Sequence, residues 1–110
     1  MGEYAFLFRG REAGTSVAQM QKTMETWTVW FKELDSKGYL KDKGNPLQRQ
    51  GKIVSGKNRV ISDGPFAETK DVIGGYVIIE AESLSHATEL ANGCPIYDVG
   101  GSVEIRPVEK

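Results

Sequence analysis

Ser62-Asp63-Gly64-Pro65-Phe66-Ala67-Glu68-Thr69-Lys70-Asp71, running directly into Val72-Ile73-Gly74-Gly75-Tyr76, is the chemically densest stretch of the chain. Within nine positions it holds three carboxylates, a lysine, a hydroxyl and an aromatic ring. Pro65 fixes its own φ and turns Gly64 away from the right-handed helical region, so the pair predicts a rigid corner. Asp63, just before it, can accept hydrogen bonds from backbone N–H groups two or three residues on and close the turn itself. A second reading of the same residues is a site. A corner this rigid, carrying Glu68, Thr69 and Lys70 beside a strand, would hold polar groups at the mouth of a cavity. Asp-Gly-Pro is common turn punctuation, so the residues alone leave both readings open.

Downstream, Gly74 to Ala81 reads as a strand that is apolar on both faces at its centre. The glycines at its start predict a bulge or a close backbone approach. Upstream, Lys52 to Ser55 and Asn58 to Ile61 flank Gly56-Lys57, the pattern of a two-residue hairpin loop that delivers the Asp63 corner. Tyr39 to Leu47 can hold a short strand before a Gly-Asn-Pro turn. Near the start, Glu3 to Arg9 alternates as a strand with Tyr4, Phe6 and Phe8 on one face and Ala5 and Leu7 on the other. Gly10 to Gly14 forms a charged loop, and Ser16 with Gln19 makes a capping-box start for a long helix. Val17, Met20, Met24, Trp27, Phe31 and Leu34 then form one apolar stripe, and Gly38 is a left-handed stop, giving a helix from about Val17 to about Lys37.

Trp27 and Trp30, three apart, can share an edge of that stripe, either as core and rim packing or with one indole lining a ligand cavity. Ser83 caps a second helix with Leu84, Ala87, Leu90 and Ala91 inward, Gly93 as its stop, and His86 on its polar side. Cys94 to Gly101 reads as a loop in which the cysteine is a small buried hydrophobe. The last strand, Ser102 to Val108, alternates Val103 and Ile105 against Glu104 and Arg106.

The 110 residues fit a single domain, 1–110, with one core. A net charge of −1 gives no electrostatic footprint for nucleic acid or an anionic membrane. Apolar runs are far shorter than a spanning helix needs and no leader-like segment opens the chain, so a soluble cytoplasmic protein is expected. One cysteine and one histidine fall short of a zinc ligand set. Neither a metal nor a cofactor is expected.

The run Asp63-Gly64-Pro65-Phe66-Ala67-Glu68-Thr69-Lys70 with Gly74-Gly75-Tyr76, and the closing Val103-Glu104-Ile105-Arg106-Pro107-Val108, resemble the signature of the YCII-related family in its DGPF branch. That resemblance implies an α+β, ferredoxin-like β-α-β-(hairpin)-β-α-β chain, with two helices on one face of an antiparallel sheet and two copies forming a dimeric α+β barrel. The scaffold is similar to that of muconolactone isomerases, and fold does not settle function. In the family's enzyme-like branch a histidine on the first helix pairs with an aspartate. Trp27 takes that histidine's place here, which sets a histidine mechanism aside. Members similar to this chain accompany sigma factors of the extracytoplasmic-function type, which implies a regulatory or stress context.

A homodimer is also expected from the residues. Two helices cover one face of a four-stranded sheet, whereas the first strand and the Tyr76–Ile79 strand are apolar on both. The expected interface includes Tyr4, Phe6 or Leu7 together with Tyr76 to Ile79. Space between sheet and helix, closed by the Asp63–Lys70 segment, would then hold a ligand against Trp27, Phe66, Thr69, Lys70, Gly75 and Tyr76. Two functions follow. One is binding of a small polar or aromatic metabolite without catalysis. The other is a cofactor-independent isomerase or lyase in which Asp63 or Glu68 is the general acid or base, its pKa raised by burial near Phe66 and Trp27, with Lys70 offsetting an anionic substrate.

Overall fold

β1 (Gly2–Arg9) alternates as its sequence dictates, with Phe6 and Phe8 buried. The computed structural model describes residues 1–10, 17–48, 51–63 and 73–109. After β1 come α1 (Val17–Ser36), β2 (Leu40–Pro46), β3 (Lys52–Ser55), β4 (Val60–Asp63), β5 (Ile73–Ala81), α2 (Leu84–Ala91), a 3-10 turn (Pro95–Val99) and β6 (Ser102–Pro107). Strands β2-β5-β1-β6 form one antiparallel sheet in that order. β3 and β4 pair separately as a two-stranded sheet. Setting that hairpin aside, the order is the ferredoxin-like one, an α+β fold with both helices on one face.

Period-2 alternation decides which side chains meet the helices. Phe6 and Phe8 of β1, Val77, Ile79 and Ala81 of β5, Trp30 and Leu34 of α1, Ala87 and Ala91 of α2, and Cys94 and Ile96 form the buried core. Phe6 lies opposite Val77 and Tyr4 opposite Ile79, so this row belongs to the helix-covered face. The other row pairs Ala5 with Ile78 and Leu7 with Tyr76, all half-buried. The expected interface is therefore corrected. Tyr4, Phe6, Val77 and Ile79 are committed to the core side, leaving Ala5, Leu7, Tyr76 and Ile78 on the open face.

Local chemistry revises several boundaries. α1 ends where Gly38, at φ +79°, donates to Asp35 and Tyr39 donates to Leu34 at 2.9 Å, as the left-handed stop requires. On α1 it is Trp30 that is buried, with its Nε1–H donating to the Leu90 carbonyl at 3.3 Å, whereas Met24 is 67% exposed. Gly-Asn-Pro is not a turn. β2 continues through it with two register shifts, and Gly44 at φ +58° donates its N–H to Asp42 Oδ1 at 2.8 Å rather than to the ladder. The hairpin loop has four residues, Gly56 to Arg59, because Ser55 pairs with Val60, and Arg59 itself adopts φ +54°.

On α2 the Ser83 Oγ cap accepts from His86 N at 3.1 Å, while Leu84 is exposed rather than inward. His86 is half-buried rather than a plain surface residue. Its Nδ1 accepts from Glu82 N at 3.1 Å, and its ring stands edge-on to Tyr39 at 5.0 Å. Gly93 serves packing, since a Cβ there would lie 3.1 Å from Trp30 Nε1. The Ser16 cap and the loop before it lie outside the described residues.

Candidate functional site

Asp63 is the last residue of β4 and stands opposite Lys52 in the hairpin ladder. Phe66, Glu68, Thr69 and Lys70, with the Gly64-Pro65 corner, lie outside the described residues. The structure thus fixes the two ends of the segment, Asp63 and Ile73, and the surfaces around the start of β5.

Those surfaces are aromatic on the helix side. Trp27 is half-buried and meets Phe8 edge-on at 4.8 Å, Trp30 at 5.8 Å and Phe31 at 5.6 Å. Trp30 stacks on Phe6 at 6.3 Å with an interplanar angle of 12° and closes the set from beneath. Helical spacing explains the arrangement: residues 27, 30 and 31 share one face of α1, and that face lies on the Phe6/Phe8 row. Rings 4.5 to 7 Å apart in edge-on and offset geometries attract beyond their buried area, by about 0.5 to 1.5 kcal/mol a pair. The set is therefore a rigid wall, and Trp27 and Phe31 are its half-open members.

Gly75 is buried opposite Phe8 on the same face. Its missing side chain is used by the chain's own backbone, since a Cβ would lie 3.2 Å from the Asn45 carbonyl oxygen and 3.3 Å from Pro46 Cα. Beside it, Gly74 is skipped in the pairing between Phe8/Gly75 and Arg9/Ile73, a bulge at the start of β5. Tyr76 is turned to the open face, between Leu7 and Asn45. Trp27 and Tyr76 therefore stand on opposite sides of the sheet, and one protomer does not bring them to a common cavity.

The open face has an apolar centre and a charged rim. Glu104 on β6 bonds Arg9 and, at 3.4 Å, Arg106, while Lys41 reaches Glu80 at 3.4 Å on the other side. The Arg9 guanidinium, with Arg106 second, holds the Glu104 carboxyl below the usual carboxylate range. Alternation in the sequence placed Glu104 and Arg106 outward. The register that sets Arg9 beside Glu104 is a tertiary fact and left no local signal.

Among the clefts formed by described residues, two are lined without Asp63 or any residue of β3 or β4. One of about 450 Å³ lies at the far end of the sheet among Glu3, Tyr4, Glu80 and Val108. One of about 170 Å³ runs between the helices past Trp30, Leu34 and Leu90. Neither is bordered by a residue that the sequence singled out for a site, apart from the buried Trp30. Cys94 is buried, and burial pushes its thiol up to about 12, which removes it as a nucleophile at neutral pH. Among the described residues no group of three or more histidine, cysteine or acidic side chains could hold a metal ion. Nor is any helix among them long and apolar enough to cross a membrane.

A family model described as the YCII-related domain matches residues 3–110. An uncharacterized protein of Rhizobium meliloti (strain 1021) is 40% identical over 53 residues, 44% of this chain and 40% of the relative. The match thus spans less than half the length of that curated relative. Among solved structures, 5-chloro-2-hydroxyhydroquinone dehydrochlorinase from Burkholderia phenoliruptrix AC1100, in complex with 2,5-dihydroxybenzoquinone, aligns with a TM-score of 0.51. The alignment covers 97% of this chain and 93% of that one at 16% identity, a likeness of fold.

Proposed function

The chain belongs to the YCII-related domain family, and from that premise we propose that it is a homodimer that binds a small polar or aromatic molecule between α1 and the sheet. The binding place is the end of the sheet where β4 delivers Asp63 and β5 begins. The observation that carries this reading is the half-open edge that Trp27 and Phe31 make on a wall otherwise closed by Phe6, Phe8 and Trp30, with Trp27 the edge member that meets Phe8 on the sheet. A stacked aromatic left part-exposed at the edge of a core offers a flat apolar surface at little conformational cost. In this reading Glu68, Thr69 and Lys70 are assigned the polar contacts that orient the ligand, and Phe66 an apolar one. Gly75 shapes the sheet rather than touching the ligand, and Tyr76 belongs to the dimer face. The fold neighbour's complex with a dihydroxybenzoquinone makes hydroxylated rings the first ligands to try, in a soluble-protein setting that the family resemblance links to regulation or stress.

The test is calorimetric titration of 2,5-dihydroxybenzoquinone and related small hydroxylated rings into wild type, Trp27→Phe, Trp30→Phe and Glu68→Gln. Saturable binding is expected for wild type and Trp30→Phe, with at least tenfold weaker binding for Trp27→Phe and Glu68→Gln. Equal affinity in all four proteins, or no heat with any ring, counts against the site.

A further inference from the structure

Directly opposed residues of an antiparallel ladder share a face, so Val54 and Ile61 lie on one side of the β3–β4 ribbon, with Ile53 and Val60 on the other. None of the four reaches the core, and they are 61%, 63%, 43% and 59% exposed, respectively. We propose that this hairpin is an arm that docks on a second copy of the chain, with its apolar faces joining the partner's open sheet face in one interface.

Three observations support that occupant. First, a lone two-stranded ribbon is at best marginally stable in water, and apolar edges left free invite aggregation. Among the described elements of the same protomer nothing covers it, yet both of its faces are built for burial. Second, the molecule is a slab 44 × 41 × 19 Å with a radius of gyration of 15.3 Å. A compact 110-residue chain would have about 13 Å. The hairpin interrupts the connection from β2, an edge strand, to β5. At 19 Å the slab is no thicker than one sheet and one helix layer, so the hairpin extends it sideways, where a copy stacked on the open face would reach the ribbon.

Third, the apolar centre of the open face is small by itself. A stable interface buries about 800 Å² per partner, and even a fully exposed aromatic side chain gives only about 150 to 250 Å². Ala5, Leu7, Tyr76 and Ile78 are all already half-buried, so their apolar centre falls well short. The four ribbon side chains add the missing apolar area from a segment the core does not need. This arm rests on the homodimer reading and deepens it.

The test uses the full chain. Val54→Lys combined with Ile61→Glu places opposite charges directly across the ladder, which preserves the hairpin while removing its apolar face. Sedimentation equilibrium should show dimerisation at least about 100-fold weaker than wild type, with circular dichroism unchanged. Unchanged dimerisation in that variant overturns the arm and leaves the homodimer standing. A monomeric wild type overturns both. Hydrogen exchange on wild type decides independently of how the variant folds. Amides of residues 53–55 and 60–62 should exchange at least tenfold more slowly at dimer-forming concentration than on dilution. Equal rates at the two concentrations overturn the arm.

Discussion

Gly44 is the residue with the least freedom to change. At φ +58°, a Cβ there would overlap the Tyr76 carbonyl oxygen, so both the backbone conformation and the space demand glycine. Gly44→Ala should cost about 3 kcal/mol or more, well beyond the roughly 1 kcal/mol of an ordinary glycine change. Chemical denaturation of the variant checks it, and a neutral result would remove the bulge from the account. Cys94 and Tyr97 make a second prediction at this scale. Burial raises the Cys94 thiol from 9.0 to about 12, against a backbone hydrogen bond at Ile96 that pulls down. Burial and then the Cys94 charge raise Tyr97 above 10.0. Both groups keep their protons longer in the folded chain than in the unfolded one. Their stabilisation is thus complete below about pH 9 and is lost as pH climbs toward about 12. The urea midpoint should fall between about pH 8 and about pH 11, and less steeply in Cys94→Ala. A flat profile would show the thiol is not sequestered.

Elements divide into those that local chemistry dictates and those that tertiary contacts override. α1 was legible because its stripe, its Gly38 stop and its length agree with one another. The stripe's register onto the sheet was not, because residues 24, 27, 30, 31 and 34 spread over an arc wider than the contact. Trp30 took the centre by reaching Leu90, and Met24 was left outside. Trp30→Ala should therefore cost about 3 to 5 kcal/mol, while Met24→Ala stays within about 0.5 kcal/mol. Similar losses in both would mean that α1 sits in a different rotation. Gly44-Asn45-Pro46 was misread for a related reason. Glycine and proline punctuate turns, but on an edge strand the same pair serves a bulge, and only the pairing with β5 distinguishes the two. The site was the least legible part. Its densest motif, Asp63 to Lys70, carries chemistry without periodicity, whereas the aromatic wall follows from helix spacing and strand alternation.

At the scale of the whole molecule, one alternation rule separates the core from the open face proposed for dimerisation. Phe6, Val77 and Ile79 are almost fully buried under the helices, whereas Ala5, Leu7, Tyr76 and Ile78 remain half-open on the far side between the Glu104 and Glu80 ion pairs. An apolar centre with a charged rim is the anatomy of an interface. The two rows should respond differently to a buried charge. Phe6→Asp leaves an unpaired carboxylate in the core and should abolish folding, while Ile78→Asp should leave a folded protein that no longer associates. Sedimentation equilibrium of wild type beside Ile78→Asp at micromolar concentration decides whether the open face joins two copies. Wild type should sediment at twice the 12.1 kDa of the chain, and Ile78→Asp as a folded monomer at that single mass. A wild type that sediments as a monomer, or an Ile78→Asp protein that remains a dimer, would contradict an interface on the open face.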